Sequence, residues 1–459
     1  MTGYLIVIKT FTDSNQNPLT FAPKRCQTVP APEDVSVHLN RVFELGGGTI
    51  YQRKTSCFLQ GRWSTQLRWT LLRKKCSASP VGKSKGTTQL LKKITRIVAV
   101  AAAAALVLSG CAATTTDTAE AGLIGVSMPT QSSTRWISDG ESIKAELEAQ
   151  GFTVDLQYAE DDIPTQVAQL EGMLTKGAKA LIIAAIDGTQ LTDVLQAAAD
   201  ASVPVIAYDR LIRDSANVSY YATFDNFKVG VQQATSLLVG MGVFATEEST
   251  SADGPNAAGP WNIELVAGSL DDNNAFFFFN GAMSILQPLV DSGVLVIKSG
   301  QTTIEQVATL RWDGAVAQKR MEDILVGNYA SDTLHGVLSP YDGLSRGVIA
   351  ALVDAGYSPD TLPTIVGQDA ETASVQSMLD GEQYSTIFKD TRELAKVAVA
   401  MAVAILNGSE PEVNDTTTYD NGVKVVPSFL LTPFIVTVDN YRELLIDSGY
   451  INEADLVLP

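Results

Sequence analysis

From residue 123 onward, short apolar runs alternate with longer segments whose apolar residues recur at helical period. The runs lie at 123–128, 180–185, 203–207, 263–267, 294–297, 336–338 and 364–366, and amphipathic stretches fill 138–150, 166–176, 191–201, 316–326 and 344–355. A strand-length run followed by a helix-length return is the signature of βαβ units, which stack their strands in parallel and cover both faces of the sheet. Several helical stretches end at glycine, as at Gly151, Gly177 and Gly356, which suits a left-handed C-cap. The series divides at a polar insert, residues 247–260, whose Ser, Asp, Gly, Pro and Asn content marks a loop. The predicted class is therefore α/β, with two doubly wound parallel-sheet lobes and a cleft between them.

Parallel sheets place ligands beyond the carboxyl ends of their strands. At those ends stand Arg135-Trp136, Tyr208-Asp209-Arg210, Asp271-Asp272-Asn273-Asn274, Tyr341-Asp342, Gln368-Asp369 and Lys389-Asp390. A hydroxyl group both donates and accepts, so a carboxylate paired with Arg, Lys or Asn can grip adjacent hydroxyls of a sugar in a planar fork. Trp136 and Trp312 supply aromatic faces for the C–H side of a pyranose ring. A single Asp after a strand is more often a helix N-cap than a ligand, but six polar sites in phase with the strands exceed what capping requires. No glycine-rich phosphate loop of P-loop spacing is present and His335 is the only histidine beyond residue 110, so neither phosphoryl transfer nor a His-built metal site is expected, and no cofactor is. Paired Asp residues can also serve a glycosidase. The interleaved Arg and Lys favour tight binding of neutral hydroxyls over acid–base work, so an enzyme is not expected.

Residues 97–108 are almost wholly Ala, Val, Leu and Ile behind Lys92, Lys93 and Arg96, and Ser109-Gly110 precede Cys111. The run is too short to cross a roughly 30 Å hydrocarbon core. It has the form of a lipoprotein signal peptide at 91–110, with lipidation at Cys111 and a tether at 111–121; two or three acyl chains would anchor the protein to a membrane. Such a leader belongs at a chain's start, so translation is expected to begin near residues 81–91, with residues 1–90 a mis-assigned or disordered extension. A genuine cytoplasmic region is the alternative. Beyond residue 110 the chain carries 17 Lys plus Arg against 47 Asp plus Glu, an acidity that repels phosphate backbones and argues against nucleic-acid partners. The other three cysteines, Cys26, Cys57 and Cys76, precede Cys111, so no disulfide can form within the lobes.

Longer runs carry a resemblance. Residues 128–136, 156–159, 206–213, 219–226, 271–278, 339–343, 367–370 and 381–390 are similar to those of the type I periplasmic-binding family, in particular its multiple-sugar receptors and, more distantly, its D-xylose-binding proteins. The likeness covers residues 122–456. It implies an exported, extracytoplasmic solute-binding component of an ABC importer, a monomer that closes two lobes around an aldose of xylose, arabinose, glucose or galactose type; the lipobox at Cys111 and the long N-terminal extension depart from the family's pattern, many of whose members are freely soluble in the periplasm. Such a component would deliver the sugar to permease and ATPase subunits. It also implies ligand contacts at Arg135, Trp136, Asp209, Arg210, Asn273, Asn274, Trp312, Asp342, Gln368, Asp369 and Lys389, with Arg311 beside them. Three crossings between lobes are implied near Asp225, Asp390 and Asn421. These give an N-terminal lobe of residues 122–225 plus 390–420 and a C-terminal lobe of 226–389 plus 421–459. Two alternatives keep the fold: a sugar sensor that presents its closed form to a signalling receptor, and a receptor for another small polar solute. A DNA-binding regulator is disfavoured by Pro30, Pro32 and Gly46-Gly47-Gly48 where paired helices would be needed.

Overall fold

The computed structural model describes residues 122–458 and two short antiparallel strands, β1 (Asn40–Phe43) and β2 (Tyr51–Lys54). These two strands belong to a separate unit, residues 1–110, and the rest to the unit formed by residues 111–459. The expected signal peptide at 91–110, the lipid site Cys111 and the tether at 111–121 lie outside the described residues.

Among the described residues, the second unit holds two six-stranded sheets. The first runs in the order β13 (Ser428–Leu431), β7 (Tyr220–Phe224), β6 (Val205–Tyr208), β5 (Ala180–Ile183), β3 (Leu123–Met128), β4 (Thr153–Tyr158), and every pair in it is parallel. All four residues of β5, Ala-Leu-Ile-Ile, are fully buried, as a central strand covered on both faces requires. Helices α1 (Thr134–Ala149) and α10 (Thr391–Leu406) close one face through Ile143, Leu147, Leu394 and Val399, while α2 (Ile163–Thr175) and α3 (Thr192–Asp200) close the other through Leu170, Met173 and Leu195.

The second sheet has the order β14 (Phe434–Val436), β12 (Ser385–Phe388), β11 (Thr364–Gln368), β10 (Gly336–Leu338), β8 (Trp261–Leu265), β9 (Leu295–Ile297), parallel except for the β12–β14 pair. One face is covered by α4 (Asn226–Gly240) and α5 (Asn273–Asp291), the other by α7 (Gly314–Asn328) and α8 (Asp342–Asp354). Two short helices, α6 (Ile304–Val307) and α9 (Thr372–Leu379), and the helical turns Leu310–Trp312, Arg442–Asp447 and Glu453–Asp455 also belong to this lobe.

Each of the first two crossings follows a strand of one lobe with a helix of the other. Strand β7 leads through Asp225 into α4, and β12 leads through Lys389 and Asp390 into α10; Asp225 and Asp390 both cap the helix they precede. The third crossing is not at Asn421. Asn421 is buried within the first lobe, where its Nδ2 donates to the carbonyls of Ile212 and Ser215 at 3.2 and 2.8 Å. The chain then adds β13 to the first sheet and crosses only between Leu431 and Phe434, so the first lobe extends past residue 420 to the end of β13.

Candidate functional site

A cavity of about 380 Å³ lies between the lobes at the carboxyl ends of their strands. The first lobe contributes Arg135 and Trp136 from the start of α1, Asp161 after β4, and Asp209 and Arg210 after β6. The second lobe contributes Asp272 and Asn274 at the start of α5, Arg311 and Trp312 before α7, Tyr341 and Arg346 around the start of α8, and Gln368, Asp369 and Lys389 at the ends of β11 and β12.

Its core is an alternating cluster of charge. Arg135 donates Nη2 to Asp209 Oδ1 at 2.5 Å and Nε to Asp139 Oδ2 at 2.9 Å, and its Nη1 lies 3.8 Å from Asp369 Oδ1 in the opposite lobe. Lys389 Nζ stands 3.1 Å from Asp369 Oδ1 and 3.8 Å from Asp209 Oδ1. All of these side chains are nearly or fully buried. Burial alone would drive the Asp209 carboxyl upward, but Arg135, Lys389 and Arg210 outweigh it and hold Asp209 down at about 2. Asp139, which faces Arg135 from within α1 and accepts from Tyr208 OH, is pushed by burial up to about 6 against the pull of Arg135. Trp136 carries both guanidinium groups, with Arg135 Cζ 4.4 Å and Arg210 Cζ 5.1 Å from its ring centre.

Trp312 faces the cavity from the second lobe, edge-on to Phe278 and Tyr341 at ring separations of 6.3 and 6.2 Å. Its indole lies directly over Gly268, where a Cβ would fall 2.0 Å from the ring. Five cavity residues, Asp161, Asp209, Arg311, Trp312 and Asp369, have φ between 55° and 94°, in the left-handed region that side chains avoid. Backbone strain gathered at one cleft marks side chains whose direction matters more than local comfort. Among the described residues, three buried polar atoms of the cavity wall make no hydrogen bond: Arg210 Nε, Trp312 Nε1 and Asp369 Oδ1. Arg210 Nε is 3.2 Å from Asp272 Oδ2 and Asp369 Oδ1 is close to Lys389, so charge is balanced there while hydrogen-bonding capacity is left open.

Direct bonds join the lobes around this cavity. Asn274 donates Nδ2 to the Asp209 carbonyl at 2.7 Å and accepts from Tyr221 OH at 3.0 Å. Ser133 Oγ donates to Glu371 Oε1 at 3.0 Å, and Arg210 pairs with Asp272. The structure is thus a closed arrangement of the two lobes.

Of the residues expected at the site, Arg135, Trp136, Asp209, Arg210, Asn274, Trp312, Gln368, Asp369 and Lys389 line the cavity, as does Arg311. Two do not. Asn273, the first residue of α5, lies outside the lining while its neighbour Asn274 turns inward. Asp342 is fully buried behind the cavity wall, and its carboxyl group accepts from Glu371 N at 2.9 Å, Gln383 Nε2 at 2.9 Å and Thr386 Oγ1 at 3.1 Å. Asp272 and Asp390 are N-caps of α5 and α10, so capping accounts for some of the strand-end carboxylates, although Asp272 also lines the cavity. Asp209 and Asp369 cap nothing. Sequence reasoning missed Asp161, Asp313 and Arg346, and left residues 276–279 open between cavity wall and core; of these Phe278 lines the cavity. Asp161 follows the half-buried edge strand β4, whose alternation of polar and apolar residues does not stand out as an apolar run. Arg346 lies one turn inside α8, in phase with Asp342 rather than at a strand end.

The periplasmic binding protein domain family matches residues 124–410. The multiple sugar-binding periplasmic receptor ChvE of Rhizobium radiobacter is 56% identical over 334 residues, spanning 72% of this chain and 91% of the relative. The D-xylose-binding periplasmic protein of Escherichia coli is 34% identical over 322 residues, 70% of this chain and 88% of its own length. Among solved structures, an ABC transporter solute-binding protein from Clostridium phytofermentans with bound β-D-glucose superposes with a TM-score of 0.68 at 46% identity, covering 73% of this chain and 100% of that one.

Proposed function

Because the chain belongs to the periplasmic binding protein domain family, with its two parallel-sheet lobes closed on a charged cavity, we propose that it is an extracytoplasmic receptor that binds an aldose monosaccharide between its lobes and hands it to an ABC importer. The observation that carries this reading is the Arg135–Asp209–Lys389–Asp369 cluster: four buried charges, drawn from both lobes, balanced among themselves and facing a cavity wall with hydrogen-bonding atoms unused. A charged ligand would upset that balance. A neutral polyol completes it, because each hydroxyl can donate to a carboxylate and accept from a guanidinium or ammonium at the same time. Trp312 offers the apolar face that the ring's C–H groups require.

The proposed ligand contacts are Arg135, Trp136, Asp209, Arg210, Asn274, Trp312, Gln368, Asp369 and Lys389. Charge-assisted hydrogen bonds are worth about 1.5–3 kcal/mol each, and the cost of ordering and closure leaves a net on the order of −8 kcal/mol, a micromolar constant. A sugar in an open cleft touches one wall only, so its contacts to the second wall stabilise the closed state selectively. The closed state is what the permease would read. Asp209, kept ionised down to about pH 2 by its cationic neighbours, is a hydrogen-bond acceptor and not a general acid, which favours binding over hydrolysis. Lipidation at Cys111 would hold the receptor at the outer face of the cytoplasmic membrane, close to its permease.

Isothermal titration of the purified protein with xylose, arabinose, glucose, galactose and ribose tests the proposal. Micromolar one-to-one binding of at least one aldose is expected; silence across the panel assigns the cavity to another solute.

A further inference from the structure

The loop from Gln368 to Glu371 is a strained part of the cavity wall, as is Arg311-Trp312. Asp369 and Ala370 both adopt positive φ, 94° and 50°, in succession and without glycine. Two functional carboxylates hang from this one loop. Asp369 faces the cavity and the Arg135 and Lys389 cations, and Glu371 accepts from Ser133 of the opposite lobe as well as from Tyr341 OH and Arg346. A loop of this kind needs an external brace.

The brace is visible behind it. Asp342 Oδ2 accepts from Glu371 N at 2.9 Å and from Thr386 Oγ1 at 3.1 Å, and that same hydroxyl oxygen accepts from Ala370 N at 3.1 Å. Asp342 Oδ1 accepts from Gln383 Nε2 at 2.9 Å. The approach is possible because residue 367 is glycine: a Cβ there would sit 2.1 Å from Asp342 Oδ1. The two amides that follow Asp369 are thus both tied, directly or through Thr386, to one buried carboxyl group that never reaches the cavity.

We propose that Asp342 is a positioning residue, which sets Asp369 against the ligand and Glu371 against the opposite lobe by bracing the strained 368–371 loop, and so governs affinity without touching sugar. The proposal rests on the sugar-binding reading above for its affinity consequence. Its structural consequence stands apart from that reading. The neighbours facing Asp342 are Glu371, Asp369 and Arg346, and burial followed by the Glu371 charge pushes the Asp342 carboxyl well above its ordinary range. An uncharged group of the same shape therefore suits this position. An asparagine keeps the oxygen that accepts from Glu371 N and Thr386 Oγ1 and gives up only the bond from Gln383 Nε2, which retains its bond to the Ser385 carbonyl at 2.9 Å.

The test compares Asp342→Asn, Asp342→Ala and the milder Thr386→Val, each alone and the alanine variant also combined with Asp369→Ala. Readouts are sugar affinity by titration calorimetry and amide hydrogen exchange at Ala370 and Glu371. Asp342→Asn is expected to bind within about threefold of the wild type, and Asp342→Ala about tenfold or more weaker. Thr386→Val should fall between them. Exchange at Ala370 and Glu371 should accelerate in the alanine variant and stay slow in the asparagine variant. On an Asp369→Ala background, Asp342→Ala should cost little further affinity, because the group it positions is gone. Equal loss in the asparagine and alanine variants would overturn the proposal in favour of direct ligand contact. Unchanged affinity in a folded Asp342→Ala protein, or a fully additive double variant, would overturn it in favour of a purely structural role. If no aldose binds the wild type, the sugar reading fails, and the exchange rates alone decide whether Asp342 braces the loop.

Discussion

Replacing Asp209 by asparagine removes a charge while leaving shape and backbone nearly intact, since asparagine tolerates the φ of 58° that this position requires. Three cations, Arg135, Lys389 and Arg210, overcome burial and lower the carboxyl from an ordinary 3.8 to about 2. At about 1.36 kcal/mol per pKa unit, that net preference for the ionised form is worth about 2 kcal/mol of folded-state stability. An independent route gives a similar figure: charge-assisted hydrogen bonds are roughly twice as strong as neutral ones, so the bond from Arg135 at 2.5 Å loses about 1–2 kcal/mol when its acceptor becomes an amide. A sugar hydroxyl donating to this carboxylate suffers the same loss. The expected outcome of Asp209→Asn is sugar binding weakened by about 5- to 30-fold at neutral pH, with a stability deficit of about 2 kcal/mol in urea unfolding. A folded pKa below the ordinary value contributes stability that is present above about pH 4 and lost as the pH falls through about 2. The unfolding free energies of wild type and variant should therefore converge in acid. An affinity unchanged within twofold, in a folded variant, would refute the cluster as the ligand-binding core.

Three further outcomes follow from the same geometry. Trp312→Ala should weaken sugar binding about tenfold through loss of its apolar face, and Gly268→Ala, whose Cβ would fall 2.0 Å from the indole, should weaken it in the same direction; calorimetry checks both. Asn274→Ala removes the bonds from the second lobe to the Asp209 carbonyl and to Tyr221 OH, so the sugar-free protein should shift toward open forms with a larger radius of gyration in solution scattering. For Asp342, burial and then Glu371 raise the carboxyl to about 8. The folded state then holds a proton that the unfolded state has released, so wild-type stability should fall between about pH 4 and pH 8 more steeply than that of Asp342→Asn, as thermal unfolding across that range would register.

The two-lobed α/β plan was legible because central parallel strands are buried on both faces and show as unbroken apolar runs, β5 above all. Strand β4, at a sheet edge, alternates instead and left no such run. The third crossing was misplaced because nothing local distinguishes Asn421 from Pro433; what fixes the crossing is the pairing of β13 with β7, some two hundred residues away in the chain. The clearest case is a pair of dipeptides. Tyr208-Asp209 and Tyr341-Asp342 both come at the ends of apolar strands and look alike in the sequence. Asp209 takes a left-handed conformation outside any helix and faces the cavity, while Asp342 begins α8 and turns back to brace the 368–371 loop. Which of these happens depends on Gly367, Gln383 and Thr386, residues brought in by other strands.

Closure driven by sugar is the central step of the proposed function. Solution X-ray scattering of the purified protein, with and without a saturating aldose, measures it. A radius of gyration that contracts on adding sugar, and that stays unchanged at the same sugar concentration in an Asp209→Asn, Asp369→Ala double variant, is the expected result. Sugar binding detected by calorimetry with no contraction in the wild type would contradict the central claim that ligand contacts to both lobes hold the closed form together.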